Sequence, residues 1–128
     1  MTTSAPRRAT ILLAHGSSDP NWLMPFEHLT SRICAQVTSD ARVELAYMEL
    51  AEPTLEHQVE QLHQQGYTHI DVLPLFFAAG RHLRKDVPAQ IDALMTQLDI
   101  SISLHPPVGL EPEVASAISQ VVLRQLNH

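Results

Sequence analysis

Two rhythms of hydrophobic and polar positions take turns along this chain. Short, nearly continuous apolar runs stand at Thr10–Ala14 (TILLA), Arg42–Met48 (RVELAYM), His69–Leu75 (HIDVLPL) and Ile100–Leu104 (ISISL). Runs of this length, bounded by Gly, Pro or polar residues, predict strands. Between them the apolar spacing turns helical. From Asn21, the residues Trp22, Phe26, Leu29 and Ile33 recur on one stripe. Leu55, Val59 and Leu62 do the same after Pro53, which suits a first helical turn because its missing N–H costs nothing there. Gly66 fits the C-terminal cap of that helix. Asp86 is placed to cap a third helix carrying Val87, Ile91, Leu94 and Leu98. Glu111–Leu126 predicts a last helix with Val114, Ile118, Val121 and Leu126 facing inward. Ser101 and Ser103 share one side of the fourth run, which marks it as a less buried edge strand.

The order is βαβαβαβα. Strands separated by helices of this length imply a single α/β domain over residues 10–128, with a parallel four-stranded sheet and helices on both faces. Residues 1–9 read as a flexible N-terminal tail. Open parallel sheets bind ligands outside the carboxyl ends of their strands. Four positions there carry chemistry: His15 after the first strand, Glu49 after the second, His82 in the AAGRHLRKD loop after the third, and His105 after the fourth. Imidazole and carboxylate ligate divalent Co, Ni, Fe and Zn, and imidazole takes a proton near neutral pH. Taken singly, each histidine also fits an ordinary hydrogen-bonded structural residue. Glu49 equally fits an acceptor at the start of the second helix. His57 and His63 lie off the apolar stripe of that helix and read as solvated.

Composition narrows the field. At 128 residues the chain has the size of one domain. Its formal charge of −6 argues against nucleic-acid and membrane-surface partners. No apolar run reaches membrane-spanning or signal-peptide length, and a lone Cys34 suits a reducing cytoplasm. Against the acidic total, Arg81, Arg84 and Lys85 fall within five positions of one another. They form either an attractor for a polyanion or a charged loop balanced by Asp86. Gly16, Ser17 and Ser18 run into a helix start whose N–H groups can meet a phosphate or carboxylate. Neither GxGxxG nor a P-loop is present, so no nucleotide is indicated. Phe76 and Phe77 suit either the core or the wall of an apolar pocket.

Three stretches, AHGSSDP, MELAEPTL and PLFFAAGRHLRKDVP, closely resemble the short-form sirohydrochlorin cobaltochelatases, members of the class II tetrapyrrole chelatases. The resemblance runs from about Ile11 to Leu110, in order and spacing, and the third stretch is its most specific part. It implies a chelatase-like (flavodoxin-like) fold and ATP-independent insertion of Co²⁺, or of Fe²⁺ or Ni²⁺, into sirohydrochlorin. The pathway would be cobalamin or siroheme synthesis. His15 and His82 would be the catalytic and metal-binding residues, with Glu49 beside them. Ser17, Ser18, Arg81, Arg84, Lys85 and Phe77 would hold the macrocycle and its carboxylates. No cofactor is implied beyond the metal substrate, and the half-size chain implies a homodimer. His105 has no counterpart in the resemblance. Two other classes fit the residues alone: a non-catalytic metal or tetrapyrrole carrier, and a small anion-binding or interaction domain with structural histidines.

Overall fold

The computed structural model describes residues 7–127. Four strands, β1 (Arg8–Ala14), β2 (Arg42–Tyr47), β3 (His69–Pro74) and β4 (Ser101–Leu104), pair in the order β2–β1–β3–β4. All three ladders are parallel; Leu12 stands between Leu45 of β2 and Leu73 of β3. The helices α1 (Pro20–Gln36), α2 (Leu55–Gln64), α3 (Val87–Gln97) and α4 (Pro112–Leu126) follow the strands in turn. The expected single α/β domain with a parallel four-stranded sheet is therefore the observed architecture. β1 starts at Arg8, inside the segment read as a tail; Met1–Pro6 of that segment lie outside the described residues.

Side chains alternate across a strand, so each strand feeds two faces. Ala9, Ile11 and Leu13 of β1, with Ile70 and Val72 of β3, meet Leu55, Val59 and Leu62 of α2 and Val87, Ile91 and Leu94 of α3. Ile11, Leu13, Val59, Leu62 and Val72 are fully buried there. Burying each such side chain stabilises the fold by about 1.5–3 kcal/mol. α1 lies against β2 and adds no residue to this cluster. Its half-buried positions are Leu23, Phe26, Thr30 and Ile33, whereas Trp22 and Leu29, expected on the stripe, are exposed. Asp19 caps α1, its carboxylate accepting from the Asn21 N–H at 2.9 Å.

Three local expectations are corrected. Pro53 precedes α2 instead of entering it. It follows a cis Glu52–Pro53 bond, and its carbonyl accepts from the Tyr47 N–H at 2.9 Å, extending the edge of β2. The cap is Thr54, whose hydroxyl accepts from the His57 N–H at 3.2 Å. Asp86 does not cap α3, because a π-helical turn, His82–Asp86, runs straight into that helix. In α4 no residue is buried: Ile118 is 44% and Leu126 74% exposed, and Val114 is only half-buried. α4 packs chiefly on the short 3-10 turn Val108–Leu110, away from the sheet. The second face of β3 and β4 therefore stays partly open, with Ser101 and Ser103 exposed. No helix among the described residues is long and apolar enough to cross a membrane.

On that open face Asp71 pairs with His105 (Oδ1 to Nε2, 2.9 Å) and with Arg8 (Oδ2 to Nη2, 3.4 Å). The His105 hydrogen bond, helped by Arg8 and opposed by burial, holds the Asp71 carboxyl below its ordinary value of 3.8. A depressed carboxyl contributes stability that is complete above its unfolded value and is lost as pH falls through the folded one. Asp71→Asn should cost about 1 kcal/mol in urea denaturation near neutral pH. The gap between the native protein and this variant should close as pH drops below about 4. A gap that persists unchanged to lower pH would contradict the ionic origin.

Candidate active site

The carboxyl end of the sheet is built by backbone before it is built by side chains. At the end of the β1–β2 ladder the Met48 N–H donates to Ala14 O at 2.9 Å, and as the chain bends away the Glu49 N–H donates to His15 O at 3.2 Å. The two chains stay in contact because residue 16 is glycine. Gly16 sits at φ +100°, and a Cβ there would stand 1.8 Å from the Glu49 carbonyl oxygen. With that approach made, His15 and Glu49 fall side by side, His15 Nε2 lying 3.2 Å from Glu49 Oε1.

The third wall comes from the loop after β3. Alternation carries the core side of β3 from Ile70 through Val72 and Pro74 to Phe76, which packs on the core. The edge of the His15 ring meets Phe76 at 6.3 Å between centroids and 84° between planes. Gly109 clamps this loop: its N–H donates to Phe76 O at 2.9 Å, and a Cβ there would come within 2.5 Å of the Phe77 Cα. The chain then passes Gly80 and enters the π-helical turn, where Leu83 is buried and His82 faces outward.

His15 and His82 line one cleft of about 210 Å³, together with Met48, Phe76 and Arg81. Glu49 and His82 line an adjoining hollow of about 170 Å³ with Met48, Asp86 and Gln90. Three of the expected site residues thus surround Met48, and His82 borders both spaces. Asp86 Oδ2 lies 2.5 Å from His82 Nδ1. Among the described residues no three His, Cys, Asp or Glu side chains stand close enough to hold a metal ion together. A metal here would meet the histidines as an arriving reactant in an open cleft, with water completing its shell.

The other expected residues are placed differently. Arg81 lines the cleft. Arg84 and Lys85 are exposed on the π-helical turn outside it, and among the described residues neither they nor Arg81 forms an ion pair. Asp86, the anticipated balancing charge, is instead on His82. Ser17 Oγ accepts from the Asp19 N–H at 3.1 Å and so shapes the entry to α1, while Ser18 is exposed. Phe77 is 67% exposed, and the aromatic wall is Phe76. His105 is taken by Asp71, and His57 by Glu52, whose hydrogen bond raises the imidazole above its ordinary value. Met48, Asp86 and Gly109 are site elements missed in the sequence. Phe76 was readable over Phe77, since the period of two in β3 selects the even residues.

Comparisons with known proteins agree on one family. Residues 9–125 match the CbiX family model. The sirohydrochlorin cobaltochelatase of Sulfurisphaera tokodaii is 26% identical over 117 residues, covering 88% of this chain and 88% of that protein. The sirohydrochlorin ferrochelatase of Bacillus subtilis is 36% identical over 76 residues, which cover 59% of this chain but 29% of that enzyme. Among solved structures, a CbiX protein from Marinobacter aquaeolei VT8 is 44% identical, with a TM-score of 0.81 over 94% of this chain and 95% of that one. The sirohydrochlorin chelatase SirB from Bacillus subtilis subspecies spizizenii, in complex with cobalt, is 30% identical with a TM-score of 0.77. This chain covers 49% of SirB, about half its length.

The backbone account of the site makes a paired prediction. Gly16→Ala should destabilise the protein by at least about 2 kcal/mol, from positive-φ strain and the collision with Glu49 O. Gly80→Ala, which meets nothing within 4 Å, should change stability by less than about 0.5 kcal/mol. Urea denaturation of the two variants checks both, and equal losses would refute the close-approach argument.

Proposed function

Since the chain belongs to the CbiX family, we propose that it inserts a divalent metal, Co²⁺ first among Co²⁺, Fe²⁺ and Ni²⁺, into sirohydrochlorin. One observation carries the reading: at the carboxyl end of a parallel sheet His15 and His82 line one cleft with Phe76 and Met48, and Glu49, 3.2 Å from His15, lines the adjoining hollow that His82 shares. The relatives that act on sirohydrochlorin supply the substrate class.

Insertion exchanges two pyrrole protons for one M²⁺, so the site must strip water from the metal and remove two protons. His82 and His15 bind the incoming ion through their neutral ring nitrogens, and each nitrogen takes up a pyrrole proton once the ion has passed from it to the macrocycle. Glu49, beside His15 Nε2, passes protons on to solvent. The reaction is thermodynamically driven by the metal–nitrogen bonds formed, so no nucleotide and no resident cofactor enters it. Phe76 and Met48 offer apolar surface to the macrocycle face. Arg81 meets a carboxylate at the cleft, while Arg84 and Lys85 attract the polyanion from outside. Ser17 shapes the loop beside His15, and exposed Ser18 stands open to a substrate carboxylate there. The work is done in the cytoplasm, on a small soluble substrate.

The protein acts as a homodimer. Support comes from α4, which presents Ile118, Val121, Val122, Leu123 and Leu126 to solvent, and from the open second face of β3 and β4. A helix lacking a sheet and a sheet face lacking a helix on the same chain are complementary needs, which a symmetric pair of copies can meet.

Metal insertion is followed by the change in macrocycle absorbance. Each of His15→Ala and His82→Ala should lower the rate by at least about 100-fold. Arg81→Ala should mainly raise KM. Running Co²⁺, Fe²⁺ and Ni²⁺ side by side ranks the metals, and metal binding without any acceleration of insertion would overturn the enzymatic reading. Light scattering should give twice the chain mass for the native protein and one chain mass for a Val121→Glu/Val122→Glu double variant. A native monomer with full activity would refute the dimer.

A further inference from the structure

We propose that Asp86 is a positioning residue that fixes the tautomer and the aim of His82, leaving Nε2 as the one ring nitrogen with a lone pair for the cleft. This rests on the chelatase reading above and adds a residue to it.

A carboxylate on the residue before a helix ordinarily turns back to accept an N–H of the first turn. Asp86 does not, and the backbone explains why. The π-helical turn His82–Asp86 feeds α3 without a break, and the Val87 N–H already donates to His82 O. No orphan donor is left at Asp86 for its side chain to satisfy. The carboxylate swings across one turn instead, and its Oδ2 reaches His82 Nδ1 at 2.5 Å. The wider winding of the π turn, fixed by buried Leu83 on its inner side, brings these two side chains together.

An ionised carboxylate can only accept. The proton of the neutral ring therefore lies on Nδ1, and Nε2 is left bare. That nitrogen is what a metal ion or a pyrrole proton needs. Metal-binding histidines elsewhere are held by a carboxylate on the other ring nitrogen in the same manner, which sets the tautomer and raises ligand basicity. His15 is arranged oppositely, with its Nε2 already beside Glu49. The two histidines therefore present different nitrogens, and only His82 reaches both hollows with Nε2 uncommitted. Arg84 and Lys85, the neighbouring cations, leave Asp86 to His82.

The test reads the ring directly. In the ¹⁵N-labelled protein without metal, at a pH above about 8 where imidazole is neutral, long-range ¹H–¹⁵N correlations should show His82 protonated on Nδ1. Asp86→Ala should abolish that preference and weaken Co²⁺ binding and slow insertion by about 10–100-fold. Its urea midpoint should stay near that of the native protein. Asp86→Glu, which keeps a carboxylate on the turn, should recover part of the loss. A native His82 protonated on Nε2 would overturn the inference without any variant. So would an Asp86→Ala protein whose Co²⁺ affinity and rate match the native ones while His82→Ala loses both, and the chelatase reading would then stand. If His82→Ala itself kept full activity, the role of His82 and this inference would fall together.

Discussion

At residue 16 a Cβ would stand 1.8 Å from the Glu49 carbonyl oxygen, so the two strands can close at their carboxyl ends only around a glycine. The placing of His15 and Glu49 follows from that contact. The contact lets the Glu49 N–H reach His15 O just beyond the paired strands, and that bond sets His15 beside Glu49. The pair is aligned by the backbone and not by the reach of two exposed side chains. This matters because an exposed ion pair alone stabilises by at most about 1 kcal/mol and would not hold a geometry. Behind His15, Ile11 and Leu13 are fully buried between sheet and helices. His15 thus follows directly on the most buried part of β1.

The β3 side solves the same problem by other means. No strand continues far enough to place His82. The loop is pinned at its start by Gly109 against Phe76 and Phe77, and at its end by Leu83 in the core. Between these anchors Ala78, Ala79 and Gly80 span the gap with small side chains. The cleft is thus one rigid wall, His15 and Glu49 on the ladder, facing one wall held at two points.

Strand positions, the parallel sheet and the placing of His15, Glu49 and His82 at its carboxyl end were legible in the sequence because they depend on period-two burial and on where parallel strands end. What was not legible depends on long-range backbone fit. Pro53 at a helix start is good local chemistry, yet its carbonyl is wanted by Tyr47 across the chain. Asp86 before Val87 reads as a cap, but a cap needs an orphan N–H, and the π turn removes it. Nor does the pair Phe76–Phe77 by itself declare which side is covered: Phe76 packs on the core while Phe77 is exposed, in a loop held closely by Gly109. The apolar stripe of α4 was read correctly as a stripe. Its packing was not, because a periodic pattern states that a face will be covered without stating by which chain.

Charge gives the last constraint. The chain carries a formal charge of −6, and its substrate under the proposed function is a polyanion, so the mean field opposes binding. At physiological ionic strength, however, exposed charges are screened beyond about 8 Å. Only the charges near the cleft then count, and there Arg81, Arg84 and Lys85 stand without carboxylate partners among the described residues. Glu49 stands at the site itself beside His15, while Glu27, Glu44 and Glu52 line a separate groove between α1 and β2. Asp86, the one carboxylate inside the basic turn, is spent on His82. Its pairing therefore has two effects with one cause. It aims the ring, and, although the carboxylate keeps its charge, it holds that carboxylate out of a direct ion pair with Arg84 or Lys85.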